Sequence, residues 1–498
     1  MRLVILFAVL LLTACAPVGP EFIRPDVPAN PAWLNAELEQ FSSSAPELAD
    51  WWKQLDDPAL DRLIETALAQ NNNLKIAGLR VLESQASLAL ARGSRYPQGQ
   101  VVVGDATAVG ASESSANTTA GDLDFTQFNV GASVSWEIDF WGRFRRGIEA
   151  ADANLLASIA SFDDAKLLLI AAVADTSIAV RSIEEPLQLA DDRAAIQERS
   201  YEIVEVLFRN GESSELDALQ ARTLLLSTRA TIPGLRISLQ QAKNALSTLL
   251  GLPPSELTEF LASEGLLPTL PDNVAVGVPA ELLRQRPDVR RAELQAYAQN
   301  ALVGVANANL YPSFSLSGYF GVAAAGNTDT TRTGDSGIGE LFRAESLTYS
   351  IGPSFVWPFL NYGRIRNDIR VQDARLQQAL IQYRETVIQA AREVENSMTA
   401  LARSKEQDLI LEESVGVAAR SSELSLLRYR EGFADYQRVL DSQQALFSQQ
   451  QRYAANRGTV ISNFVAVFRS LGGGWQSELP RQFIDEATKQ QMQERTNW

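Results

Sequence analysis

The 498-residue sequence predicts an α+β membrane protein built as two similar halves. Each half reads as a pair of alternating strands, a very long helix and a shorter return helix. Two observations carry this. Trp141-Gly142-Arg143 and Tyr362-Gly363-Arg364 close the strand regions, and Arg209-Asn210-Gly211 and Arg430-Glu431-Gly432 break the helices that follow; 363−142 and 432−211 are both 221. Shared spacing with the same element order marks an internal repeat. The second observation is period-two patterning. Phe128, Val130, Ala132, Val134, Trp136, Ile138 and Phe140 alternate with Asn129, Gly131, Ser133, Ser135, Glu137 and Asp139. One face is apolar and the other polar, as in a half-buried strand.

The chain opens on Arg2 and an apolar run, Leu3 to Leu12. That run is too short to span a bilayer as a helix and fits a signal-peptide core. Leu12-Thr13-Ala14-Cys15 resembles a bacterial lipobox, and Cys15 is the only cysteine of the chain. The reading is a signal peptide over 1–14 and a covalent lipid on Cys15, with several acyl chains giving a stable anchor where one would not. Residue 16 is Ala rather than Asp, which by resemblance to sorted lipoproteins favours the outer membrane. Residues 15–55 follow as an extended N-terminal arm, with Pro17, Pro20, Pro25, Pro28 and Pro31 opposing helix.

The first half is placed at 56–275, with strands over about 96–140, a long helix over about 144–209 and a return helix over about 214–250. The second half is placed at 276–475, with strands over about 311–359 and helices over about 365–430 and 435–471. Leu347, Tyr349, Ile351, Pro353, Phe355, Trp357 and Phe359 repeat the alternation; Phe314, Leu316, Phe320 and Val322 give a strand interrupted at Gly318; Val101 to Val109 is weaker. Trp136, Trp141, Trp357 and Phe359 are candidates for an aromatic girdle. The connections near 110–127 and 324–346 are rich in Ser, Thr, Gly, Asn and Asp and read as surface loops. Four strands leave open edges, which lipid does not tolerate, and single-chain bacterial barrels begin at about eight strands. The barrel is therefore expected to be shared, and three copies give about twelve strands. Each long helix is expected to span about 100 Å. Leu380, Tyr383, Val387, Ala391, Val394, Met398 and Leu401 follow coiled-coil-like spacing. Pro186 is expected to kink or break the first long helix and Pro233 to bend its return helix. The last stretch, 476–498, is polar and reads as a tail without fixed structure.

Composition narrows the function. The formal net charge of −16 argues against a nucleic-acid partner, which needs clustered Lys and Arg. No histidine is present, so the commonest general base and metal ligand is missing. Methionine is confined to Met1, Met398 and Met492, which leaves no soft-metal relay. No cofactor beyond the lipid on Cys15, no metal and no enzymatic activity are expected.

The residues resemble the TolC-like outer-membrane factors, in particular the OprM-like or NodT-type lipoprotein branch, over nearly the whole chain. The segments concerned are Val18-Gly19-Pro20, Trp51-Trp52, Asn244-Ala245-Leu246 through Leu249-Leu250-Gly251, Leu282 through Asp288, and Gly304-Val305-Ala306 leading to Tyr311-Pro312. The resemblance implies a homotrimer, a twelve-stranded outer-membrane β-barrel with four strands per chain continuing into a twelve-helix periplasmic α-barrel. It implies a passive exit duct for small molecules in a tripartite efflux pump, joined to an inner-membrane transporter by a periplasmic adaptor. By the same resemblance Asp441 belongs to an acidic ring at a periplasmic gate, with Gln437, Arg438 and Tyr436 beside it; a solvated helix Asp is the plain alternative. Arg438 and Tyr436 read equally as latches to neighbouring helices or as ordinary surface residues. The tips Asn210-Gly211-Glu212-Ser213 and Glu431-Gly432-Phe433-Ala434 are the expected adaptor-docking sites. Glycines chosen for backbone shape alone explain these turns too, although not an exposed Phe433. Glu137 and Asp139 read as lumen-facing or as rim residues. Two rivals stay open: the outer-membrane duct of a type I protein secretion system, and a structural coiled-coil envelope lipoprotein, which has no need of alternating strand pairs.

Overall fold

The computed structural model describes residues 17–496 apart from 27–29, 36–40, 43, 113, 115–123, 256, 258–259, 261–266, 272, 278, 328–336 and 477–482. The expected signal peptide and Cys15 lie outside the described residues, as do parts of both loops that join the strand pairs.

The elements run β1 (Phe41–Ser42), a 3-10 turn (Trp51–Leu55), α1 (Pro58–Gln70), α2 (Asn72–Gly93), β2 (Gly99–Gly110), β3 (Asp124–Ile138), α3 (Arg143–Arg209) and α4 (Glu215–Leu249). They continue β4 (Val274–Ala275), α5 (Pro279–Gln285), α6 (Pro287–Ala308), β5 (Ser313–Asn327), α7 (Gly337–Glu340), a 3-10 turn (Ala344–Ser346) and β6 (Leu347–Val356). Last come α8 (Arg364–Arg430), α9 (Tyr436–Ser470) and α10 (Glu486–Arg495). Both long helices have 67 residues and both return helices 35. The chain divides into two compact units.

The strand-bearing unit comprises 1–25, 83–157 and 293–382. Its sheet has the order β2-β3-β5-β6, with every pair antiparallel. The register stacks apolar positions in rows: Ala132 on Phe320 on Tyr349, Val134 on Gly318 on Ile351, and Trp136 on Leu316 on Pro353. The alternate face carries Ser133 on Tyr319 on Ser350 and Glu137 on Ser315 on Ser354. The patterning in β2 is weaker because Val101 and Val103 fall on the polar face and Val102 on the apolar one. Polar residues near them are joined across and along the strands: Asn129 of β3 donates to Asp105 of β2 at 3.1 Å, and Gln127 donates to Asn129 on the same strand at 3.3 Å. Tyr319 covers two glycines on this face, and a Cβ on Gly131 would stand 2.6 Å from its hydroxyl oxygen.

At the foot of the sheet three indoles are tied to backbone carbonyls: Trp136 to Arg95 at 3.2 Å, Trp141 to Pro312 at 2.8 Å and Trp357 to Leu310 at 3.1 Å. Trp141 also stacks on Tyr311, centroids 4.5 Å apart. The Asp139 carboxylate accepts from the amides of Phe144 and Arg145 at 3.0 and 2.9 Å, capping the first turn of α3. Glu137 pairs with Arg143 at 2.8 Å. Both acids are thus engaged at the junction of β3 and α3. The N-terminal arm is strapped to this unit. Val18 donates to the Trp141 carbonyl, Asn300 donates to the Pro20 carbonyl, Phe22 packs on Tyr297 and Arg24 pairs with Glu293.

The helical unit comprises 26–82, 158–292 and 383–498. Its core gathers Trp51, Leu55, Leu60, Leu63, Ile64, Ile170, Leu246, Met398, Leu401, Phe464 and Phe468, all nearly inaccessible. Trp51 stacks on Phe468 with centroids 5.4 Å apart. Helix α1 begins because Pro58 suits the first helical position and Asp57 accepts from the Ala59 and Leu60 amides. Arg286 explains why the 282–288 segment stands out in the sequence. Its guanidinium donates to the Ser470 carbonyl at 2.6 Å and pairs with Asp288 and Glu393, both at 2.8 Å. Burial opposes the charge on Arg286, but these acids hold its pKa above the usual value.

Helix α3 runs through Pro186, so the expected break does not occur there, and α4 runs through Pro233. One missing hydrogen bond does not end a helix whose flanks are packed, and Leu187, Ala190, Ala194, Leu225, Ile232 and Leu235 form one apolar cluster around both prolines. The C-terminal stretch is also not a featureless tail. Asp485 caps α10 and pairs with Lys75 at 3.1 Å. Phe483 packs edge-on against Phe162, and its carbonyl rests where a Cβ on Gly78 would be 1.6 Å away. No described helix is long and apolar enough to cross a membrane.

Candidate functional site

The two helix-to-helix turns share one backbone solution. Gly211 and Gly432 both have φ +77°, a conformation open to glycine at little steric cost. The Glu212 amide donates to Leu207 at 2.8 Å and the Gly211 amide to Phe208 at 2.9 Å. At the second turn the Phe433 amide donates to Arg428 at 2.8 Å and the Gly432 amide to Tyr429 at 3.0 Å. These paired bonds are the Schellman arrangement, which satisfies the last carbonyls of α3 and α8.

The side chains on those turns differ. At the first, Ser214 and Asp217 form a reciprocal capping box, and the Ser213 hydroxyl also donates to Asp217 at 3.0 Å. Burial pushes the Asp217 pKa up, but the Ser214 and Ser213 bonds outweigh it and hold the carboxyl below the usual carboxylate range. At the second turn Asp435 caps α9 through the Arg438 amide at 3.3 Å. Phe433 stands 74% exposed. Asn210, Glu212 and Glu431 are exposed, while Ser213 and Ala434 are half-buried.

Behind the turns four helices converge on one cluster. Val204 of α3 and Ala218 and Ala221 of α4 meet Tyr436, Val439 and Leu440 of α9, with Leu426 and Tyr429 of α8 packed alongside. Tyr436 therefore lies inside this cluster, packed against neighbouring helices, and is not an ordinary surface residue. It is 6% exposed, and its ring meets Tyr429 at 5.2 Å. Burial, with Tyr429 and Asp217 adding to it, pushes its phenol up to about 12. Gln437, Arg438 and Asp441 are exposed on α9, one turn of which brings the Gln437 amide to donate to Asp441 at 2.8 Å.

Sequence reasoning passed over Asp217, although Ser-x-x-Asp before an apolar run signals a capping box. Tyr429 gave no such sign, since its partner is set by the meeting of α8 and α9.

The outer membrane efflux protein family model matches residues 63–252 and 278–473, both halves of the chain. The chain belongs to the outer membrane efflux protein family. It is 31% identical over 445 residues to the pyoverdine export outer membrane protein OpmQ of Pseudomonas putida, covering 88% of this chain and 91% of that protein. It is 30% identical over 485 residues to the toluene efflux pump outer membrane protein TtgI of the same species, covering 94% and 97%. Among solved structures, the outer-membrane channel OprN superposes with a TM-score of 0.84 at 31% identity, covering 92% of this chain and 99% of that one. The aligned apolar rows of the sheet and the paired helical hairpins are thus those of an outer-membrane efflux channel.

Proposed function

We propose that three copies of this chain form the passive exit duct of a tripartite efflux pump, carrying small molecules such as drugs, dyes and other toxic compounds. The open sheet carries this reading. Strands β2 and β6 each pair on one side only among the described residues. Tyr349, Ile351 and Phe355 are more than two-thirds exposed on the apolar face. Unpaired edges in hydrocarbon cost several kcal/mol per unsatisfied group, about the cost that closure removes. Three four-stranded sheets closing edge to edge make a twelve-stranded barrel, and the two repeated hairpins of each chain supply twelve helices.

In this reading Cys15 carries the lipid anchor, and the strap from Val18 to Arg24 ties the arm that follows it to the strand-bearing unit. The Gly211 and Gly432 turns dock a periplasmic adaptor, which links the duct to an inner-membrane transporter. Asp441 lines the periplasmic constriction with Gln437 as its hydrogen-bond partner. The duct supplies no chemistry and needs no cofactor beyond the lipid. Relatives named for pyoverdine export, toluene efflux and cation efflux share one scaffold, so cargo choice rests mainly with the pump.

The test is deletion of the gene, measurement of fluorescent cationic dye accumulation, and complementation with wild type, Cys15→Ala and Asp441→Ala. Accumulation should rise on deletion and fall with wild type, and Asp441→Ala should leak. Purified protein should run as a trimer in detergent and conduct in a planar bilayer. A non-conducting monomer overturns the proposal.

A further inference from the structure

The internal repeat of the strand-bearing unit extends to single residue pairs. β2 pairs with β3 through Gly99 and Ser135, and β5 with β6 through Ser313 and Val356; 356−135 is 221 and 313−99 is 214. The Trp136 indole donates to the Arg95 carbonyl at 3.2 Å and the Trp357 indole to the Leu310 carbonyl at 3.1 Å; 357−136 is again 221, and 310−95 is 215. The one residue of difference falls after the two Tyr-Pro pairs, where Gln98 has no counterpart. Gly142 and Gly363, also 221 apart, have φ +80° and +81°. Each half thus builds the same foot under its strands.

Within the chain the two halves join along one seam, β3 against β5. At its foot Trp141 stacks on Tyr311 with centroids 4.5 Å apart, and Phe140 faces Phe314 at 5.5 Å. The other join, β6 against β2, is not made within one chain, because these strands are the two edges of the sheet. The residues for it are nevertheless present. One repeat on, Trp141 and Phe140 become Tyr362 and Asn361; one repeat back, Tyr311 and Phe314 become Tyr96 and Gln100. Aromatic again stands opposite aromatic, and both phenylalanines are replaced together by amides, which can bond to each other.

Tyr362 and Tyr96 are 91% and 69% exposed. Tyr362 also holds φ +50°, a left-handed backbone that disfavours a bulky side chain and persists where surroundings impose it. A ring so exposed meets little in its own chain that could impose it. Open strand edges beside both tyrosines are templates for another chain.

We infer that Tyr362 of one copy stacks on Tyr96 of the next, with Asn361 beside that copy's Gln100, forming an aromatic joint at the foot of each seam between copies. The same offsets set the strand register of that seam. Ser135 pairs with Ser317 and Val134 with Gly318. Val356 therefore pairs with Val103 of the next copy and Phe355 with its Gly104, which keeps the polar and apolar faces continuous from copy to copy. The joint rests on the closed barrel of the duct reading and adds which side chains lock the closure, and in which register.

The test is cross-linking of purified full-length protein in detergent with a short bis-maleimide, read as linked chains on a denaturing gel. One variant carries Tyr96→Cys with Tyr362→Cys, and a second carries Val103→Cys with Val356→Cys. Both should give linked dimers and trimers, and wild type and each single-cysteine variant none. Linkage through the valine pair but not the tyrosine pair overturns the joint and leaves the barrel standing. A protein that forms no trimer overturns the duct reading, and the joint with it. Tyr362→Gly separates the joint from a role within one chain. Glycine relieves the left-handed backbone, so without a partner for the ring the trimer should survive heating at least as well as wild type. The joint requires the reverse: a several-fold loss of heat-resistant trimer in Tyr362→Gly and in Tyr96→Ala, and little change in Tyr362→Phe, which keeps the stack. A Tyr362→Gly trimer as heat-resistant as wild type overturns the inference.

Discussion

Asp57 and Arg181 meet at 2.6 Å with both side chains under a tenth exposed. The same carboxylate caps α1 through the Ala59 and Leu60 amides, 3.0 and 3.3 Å away. One acid thus starts a helix and neutralises a buried guanidinium on α3. Asp57→Asn keeps a capping oxygen but strands the Arg181 charge, which should cost about 3–5 kcal/mol. Asp57→Ala should cost about 1 kcal/mol more through loss of the cap. Thermal unfolding of the purified variants checks both, and an Asn variant as stable as wild type counts against the pair.

Gly78 should tolerate no side chain. With the Phe483 carbonyl where its Cβ would be, Gly78→Ala should lift the C-terminal segment off α2. Limited proteolysis should then cut between Phe483 and Arg495 at least tenfold faster, while the melting temperature of the main body changes little. Equal cleavage rates in both proteins would contradict this contact.

The same segment should respond to acid. The Thr488 amide, then Lys75, hold Asp485 down at about 2, below its ordinary 3.8. A depressed carboxylate contributes stability above its unfolded pKa and loses it as pH falls through the folded one. Attachment of α10 should therefore be intact above about pH 4 and weaken towards about pH 2. Hydrogen exchange across Glu486–Arg495 reads this, and Asp485→Asn should weaken attachment at neutral pH and flatten the pH response.

Gly321 and Gly131 should differ in tolerance. An added Cβ at Gly131 meets the far end of the Tyr319 side chain, which can swing away, whereas at Gly321 it meets the Val130 carbonyl at 2.6 Å. Gly321→Ala should reduce the yield of folded, heat-resistant protein several-fold and Gly131→Ala only slightly. Tyr319→Ala should restore the Gly131 variant and leave the Gly321 variant impaired. Electrophoretic mobility with and without heating separates the cases.

The sequence determined the elements whose cause is local. Period-two alternation placed the apolar rows of β3 and β6, the Gly211 and Gly432 turns followed from backbone shape, and a chain with no histidine and one cysteine offers no His ligand and no internal disulfide. Tertiary structure decided what depends on neighbours distant in the chain. Pro186 stays within one helix because packing against α4 and α9 outweighs a single lost bond, a balance that local propensity does not contain. The polar C-terminal stretch takes a helix because Gly78, Phe162 and Lys75 receive it. Tyr436 left the surface for the same reason: a phenol on an isolated helix reads as solvent-facing, and only the convergence of four helices buries it. Propensity acts over a few residues and was legible, whereas burial is a property of the assembled chain.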